Sequence, residues 1–344
     1  MSLVSGPLLG VGAFLAVAAL LQGLAPWPSD YGLGAKFEHF AENKDDYEIL
    51  FFGSSVIYRS VVPSVVEEEL PGTFRCFNFG NPGMRAFETD HLLKEALALR
   101  PANLRWVVVE ARHWQDSIFP GHAWTKRAAY WHTTEQLSLA LQSVRLSPAP
   151  TTDKFFMTID HLLHWAWKQT AYGRGTDIAL DLLGWEFDDT QKARLAAHGG
   201  YRPLEEEDDE EFTKRHAIFL KSQDKFLRGV AALKSASRTP GSLEGYNLAA
   251  LETQIAAIRA AGAEPIYIIP PGPPGLVSQP AVLRLFEAGH IPTLLVYNDP
   301  VRYGRLYSIG FHFDSNHLNR AGAAYFSRML GHDLAALITG TRSE

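Results

Sequence analysis

The stretch Tyr47-Glu-Ile-Leu-Phe-Phe-Gly-Ser-Ser-Val-Ile-Tyr-Arg59 constrains this chain most, because an uninterrupted apolar run stops there at a glycine followed by two serines. A run that does not alternate reads as a strand buried on both faces, as in a parallel sheet. Gly53 lets the backbone turn sharply at the carboxyl end of that strand, the edge at which open α/β sheets bind ligands. A tight turn capping a helix would explain Gly-Ser-Ser alone. Near the other end stands Phe311-His-Phe-Asp-Ser-Asn-His-Leu-Asn-Arg-Ala-Gly322, where Asp314 and His317 lie three apart and fall on one side of a helical turn or tight loop.

Four more strands are expected at Phe74 to Phe79, Arg105 to Glu110, Pro265 to Ile269 and Thr293 to Tyr297. Helical patterns lie between them: Pro63 to Leu70, Met84 to Leu99, a helix capped by Ser242 and ended by Gly262, and a last helix from about Asn319 to Ile338. Strands alternating with helices predict an α/β fold, a flavodoxin-like three-layer α/β/α arrangement around a parallel five-stranded sheet. The pattern breaks between residues 117 and 240, which hold Trp124, Trp131, Trp165, Trp167 and Trp185 and the acidic run Glu205 to Glu211. That stretch reads as a mostly helical insertion, its tryptophans mainly core with some lining a groove, and the acidic run as a solvated surface. The α/β domain is then split into residues 30–116 and 241–344.

The formal charge of −6 and the absence of a basic stripe argue against a nucleic-acid partner. The single cysteine, Cys76, excludes an internal disulfide and any multi-thiolate metal site. No charged side chain occurs in the first 29 residues, and Leu8 to Leu24 is apolar apart from Gln22 and a few glycines. With its flanks that run approaches the roughly 20 residues needed to span a bilayer. A cleaved signal peptide lacks its basic leader here, so residues 1–29 are expected to form an N-terminal membrane anchor, a transmembrane helix; a buried core helix is the alternative.

A serine hydroxyl is a poor nucleophile until a base takes its proton, and imidazole titrates near neutrality. A carboxylate that accepts the other ring N–H holds the imidazole in one tautomer. Ser55, His317 and Asp314 supply these three groups; Ser54 is the local alternative to Ser55. The glycine-rich stretch Asn78-Phe-Gly-Asn-Pro-Gly83 can aim backbone N–H groups at a developing oxyanion. Asp-x-x-His is explained without a metal, although His312, Asp314 and His317 crowd together.

In these blocks the chain resembles the SGNH/GDSL hydrolase superfamily. Gly53-Ser54-Ser55 is similar to its first block, with Ser54 where an aspartate usually stands; Asn78 to Gly83 is similar to the second; Asp314-Ser-Asn-His317 is similar to the last. The resemblance implies Ser55 as nucleophile, Gly83 as an oxyanion donor with Asn81 beside it, Asp314 as orienting acid and His317 as base, with no cofactor. The third block departs: Glu110-Ala-Arg-His-Trp-Gln-Asp116 lacks the family's oxyanion asparagine, with Trp114 roughly at its place and Arg112, His113 or Gln115 as substitutes. Together with Arg59 and the N-terminal anchor, this resembles the periplasmic SGNH-like proteins that accompany membrane-bound O-acyltransferases. The implied activity is that of a serine esterase or O-acyltransferase on acylated carbohydrate or envelope polymer, held on the extracytoplasmic side of the cell membrane. The rival is a catalytically silent binding or assembly subunit of such a complex.

Overall fold

The apolar runs become five strands in the computed structural model, which describes residues 5–28, 32–112, 114, 118, 120–171, 173–183, 189–207, 209–235, 240–272 and 279–341. They are β1 (Ile49–Phe52), β2 (Cys76–Asn78), β3 (Trp106–Glu110), β4 (Glu264–Ile269) and β5 (Leu294–Val296). All pair in parallel, in the order β2-β1-β3-β4-β5. Alternate residues of each strand feed two separate cores: Leu50, Phe52, Val107, Val109 and Tyr267 belong to one, Ile49, Phe51, Val108, Ile266 and Ile268 to the other. Burial on both faces is the physical reason these strands read as continuous apolar runs rather than alternating ones.

The two ends of the chain meet through the last helix, Arg320–Thr339. Its Phe326, Leu330 and Leu334 recur every fourth residue and are fully buried, each contributing about 1.5–3 kcal/mol from area removed from water. This helix packs on the helix Pro63–Glu69. Ser327 Oγ also accepts the Val62 N–H at 2.8 Å and donates to the Ser60 carbonyl at 3.1 Å. The segment after Gly-Ser-Ser is thereby tied to the helix that follows Asp-x-x-His.

Between β3 and β4 the described residues are mainly helical, including Thr134–Leu146, Thr151–Thr170, Glu210–Lys221 and Asp224–Ser235. Glu205, Asp209, Glu210 and Glu211 of the acidic run are exposed, as expected of a solvated surface, whereas Glu206 and Glu207 are partly buried. Glu207 pairs with Arg59 at 2.5 Å and with Arg202 at 3.1 Å, and Glu206 with Arg320 at 2.6 Å, so these acids fasten the insertion to the α/β domain.

Two local expectations also need correcting. Asn247, not Ser242, caps the helix Leu248–Ala260, because its side chain reaches the Ala250 N–H while Ser242 Oγ is engaged in a turn with Glu244. A helix, Gln279–Glu287, lies in the connection before β5, where no element was expected. At the other terminus, Ser5–Leu24 is helical and packs against Thr151–Thr170. Among the described residues, however, no helix is long and apolar enough to cross a membrane, so the expected transmembrane helix has no structural support.

Candidate active site

At the end of β1 the backbone turns at Gly53, where an added Cβ would lie 2.5 Å from the Ile57 side chain and 2.7 Å from that of Glu110. No larger residue fits. Ser54 then caps the short helix Ser55–Ser60, its side chain accepting the Val56 N–H at 3.2 Å. Between Ile49 and Val61 every residue is buried except Ser55, which is half-exposed. The turn thus lifts one hydroxyl out of a closed core.

The loop carrying Asp314 and His317 is held by its own side chain. Asp314 Oδ1 accepts the backbone N–H groups of Asn316 at 2.8 Å and His317 at 2.9 Å, and Phe313 N–H donates to the His317 carbonyl at 3.0 Å. Asn319 ends the loop by capping the last helix through the Gly322 N–H. The His317 ring is left with Nδ1 3.0 and 3.1 Å from the two Asp314 oxygens.

On its other side, His317 Nε2 lies 2.9 Å from Ser55 Oγ, across 262 residues of sequence. With Nδ1–H donating to the carboxylate, Nε2 is unprotonated and accepts the serine O–H. An alcohol, an imidazole and a carboxylate in this line can pass a proton, which is what acyl transfer through a serine needs. Burial works to raise the Asp314 pKa, but the hydrogen bond from His317, with the Arg215 charge beside it, outweighs it and holds the carboxyl well below its ordinary value. Asp314 therefore stays ionised. His312 is not directed at this line: its Nε2 lies 2.9 Å from the Leu306 carbonyl, and burial lowers its pKa to about 4.

The chain matches no protein-family model and no curated protein.

The remaining expected site residues divide into two sets. Asn81 and Gly83 lie on a loop that crosses the end of β1, where the Asn81 N–H donates to the Gly53 carbonyl at 3.0 Å; Gly83 has φ 69°. The Arg112 guanidinium reaches the Gly53–Ser55 turn, donating through Nη2 to Ser54 Oγ at 2.6 Å and to Glu110 Oε1 at 2.7 Å. The other two are buried. Arg59 is buried over the Tyr58 ring and donates to the Arg202 carbonyl and Glu207. Trp114 is a core side chain, 3% exposed, packed edge-on against Phe87, and it lines a small cavity together with Glu110 and Arg112. His113 and Gln115 lie outside the described residues.

Three contributors had no local signal in the sequence. Glu110 Oε2 accepts the Ser54 N–H at 2.6 Å, so one buried carboxylate holds both Ser54 and Arg112. Lys36, 1% exposed, donates to the carbonyls of Asn78 at 3.0 Å and Gly80 at 2.6 Å beneath the Tyr58 ring, and pins the glycine-rich loop. Arg215, from the insertion, donates to Asp314 Oδ2, while the adjacent His216 ring stacks on Phe313 and lies 2.6 Å from its carbonyl through Nδ1.

Proposed function

We propose that this protein is an SGNH-type serine esterase or O-acyltransferase, flavodoxin-like in architecture, acting on acylated carbohydrate or another ester of an envelope polymer. The observation that carries this reading is the 2.9 Å contact between Ser55 Oγ and His317 Nε2, continued to Asp314. In this reading the Ser55 oxygen attacks the acyl carbonyl while His317 takes the serine proton. The same imidazole returns the proton to the departing alcohol, and an acyl-Ser55 ester remains. Water then gives hydrolysis and a sugar hydroxyl gives transfer. The oxyanion is assigned to the backbone N–H groups of Ser55 and Gly83, with Arg112 as the charged donor in place of the family's asparagine; each such donor supplies roughly 3 kcal/mol of transition-state stabilisation.

The strand order and the two core faces support the three-layer architecture. The lack of charge in Ser5–Leu24 and the exposure of Leu9, Phe14 and Leu20 support membrane attachment through this helix, with the site on the extracytoplasmic side and a membrane-bound O-acyltransferase as partner. Release of nitrophenol from nitrophenyl acetate, with and without an oligosaccharide acceptor, tests the activity. Ser55→Ala should abolish it and Asp314→Asn should reduce it by about 10⁴-fold. Undiminished turnover in Ser55→Ala removes the nucleophile assignment. The silent assembly reading draws on the burial of Trp114 near the place of the missing asparagine; lack of turnover by correctly folded wild-type protein would favour it.

A further inference from the structure

A cavity of about 50 Å³ opens where the N-terminal helix ends, lined by Gln22, Lys126, Tyr130, Trp167, Lys168 and Arg174 among others. A single water needs roughly 10–15 Å³, so the space holds a group of several heavy atoms. Three cations meet there and one carboxylate answers two of them: Asp177 accepts from Lys126 at 2.9 Å and from Arg174 at 2.7 Å. Arg174 also donates to the Pro26 carbonyl and is 5% exposed. Lys168 donates to the Tyr130 carbonyl at 2.5 Å and lies over that ring at 4.1 Å. Glu95 acts on Lys168 as a second carboxylate, so three cations face two acids and the local balance is positive by one.

The helices that carry or adjoin the lining residues also expose aliphatic side chains. Leu20 and Leu24, one turn apart on the N-terminal helix, are 65% and 43% exposed, and Leu163, one turn before Trp167, is 47% exposed. Leu180 and Leu182, on the helix that contains Asp177, are also exposed. Cations and aromatic rings beside exposed aliphatic side chains match the boundary between lipid headgroups and acyl chains.

We propose that this cavity binds a phosphate group, the one carried by an anionic lipid headgroup, with the acyl chains lying along the exposed leucines. The source of the phosphate, though not the site itself, rests on the reading of Ser5–Leu24 as the membrane-attaching helix. Burial is the main cause that lowers the Lys168 pKa, to about 8; Glu95 opposes the shift and Arg174 adds to it. A bound anion would relieve that penalty.

Flotation of the full chain with vesicles of phosphatidylcholine, alone or mixed with phosphatidylglycerol, tests the proposal, together with calorimetric titration by glycerol phosphate. The wild-type protein should favour the mixed vesicles, and Lys126→Gln with Lys168→Gln should reduce that preference by about fivefold per cation removed. Asp177→Asn should strengthen it, because Lys126 and Arg174 lose a competing anion; a purely structural ion cluster would not gain affinity. Saturable glycerol phosphate binding that is lost in the lysine variants would support the site and assign its ligand to a soluble phosphate, even if neither vesicle binds and the anchor reading fails. An unchanged vesicle preference in the folded lysine variants, or unchanged or weaker binding by Asp177→Asn, would overturn the proposal. Ester hydrolysis in detergent is independent of all these results.

Discussion

Arg215, carried by the helical insertion, donates to the carboxylate of Asp314, the residue that also accepts from the His317 ring. The insertion is therefore built into the candidate proton line and does not merely stand beside the sheet. Asp314 is held from two directions, so its orientation depends on the helix Glu210–Lys221 staying docked.

Replacing Arg215 with methionine should lower kcat by about 10- to 100-fold with KM nearly unchanged, since a small misplacement of a catalytic group costs that much. The comparison is of kcat and KM for an activated ester, with Arg215→Lys restoring part of the loss. A variant with wild-type kcat would show that Asp314 needs no support from the insertion.

Glu110 joins the Ser54 N–H to the Arg112 guanidinium in a buried setting. Glu110→Ala leaves the Ser54 N–H without its acceptor and the Arg112 charge without its carboxylate, with only Ser54 Oγ still accepting from Arg112, and should destabilise the fold by about 3–5 kcal/mol. Ser54→Ala removes chiefly a helix cap and should cost about 1 kcal/mol. Urea unfolding of the two variants measures the difference; equal midpoints would contradict this account of the Gly53–Ser55 turn.

Among the described residues no carboxylate pairs with the buried Lys36, and burial, with Arg59 nearby, lowers its pKa well below the ordinary lysine value. Its place is held by two carbonyls and the Tyr58 ring. Lys36→Met strands those carbonyls and should cost about 1–3 kcal/mol for each. Under the proposed mechanism, in which the Gly83 N–H serves the oxyanion, kcat should fall as well. Paired measurements of stability and kcat check both effects.

A cluster of buried histidines makes stability depend on pH. The His132 Nδ1–H donates to the Ala128 carbonyl at 2.5 Å, which leaves its Nε2 to accept from His161 Nδ1 at 3.0 Å; His164 stacks on the His132 ring at 5.0 Å. Burial lowers the His161 pKa from 6.5 to about 4, with His164 adding to the shift, and burial with nearby Lys168 and Lys94 lowers that of His91 to about 3. The unfolded chain protonates these rings at higher pH than the folded one does, so unfolding takes up protons. Their contribution is complete above about pH 6.5 and drains as the pH falls toward about 4. The melting temperature should drop through that window, and His161→Phe should flatten the drop. A flat profile in the wild-type protein would contradict the burial argument.

What could be read from residues alone was whatever shows locally. The strand Ile49–Phe52 appears as four consecutive apolar residues because both sheet faces are covered, and Asp314 and His317 stand out because their spacing closes a single loop. Lys36, Glu110 and Arg215 act on groups 42, 56 and 99 residues away, and a long-range polar contact leaves no periodicity to detect. Trp114 illustrates the converse. Its place next to the departed third block suggested substrate contact, whereas the Phe87 ring behind β3 provides an apolar seat for it.

In the proposed mechanism Ser55, activated by His317, forms a covalent acyl intermediate. The most direct measurement is the intact and peptide mass of the protein after treatment with a fluorophosphonate. A single adduct on the peptide containing Ser55, lost in Ser55→Ala and strongly slowed in His317→Ala, is the predicted result; folded wild-type protein that stays unmodified, or carries the adduct on another serine, would contradict it.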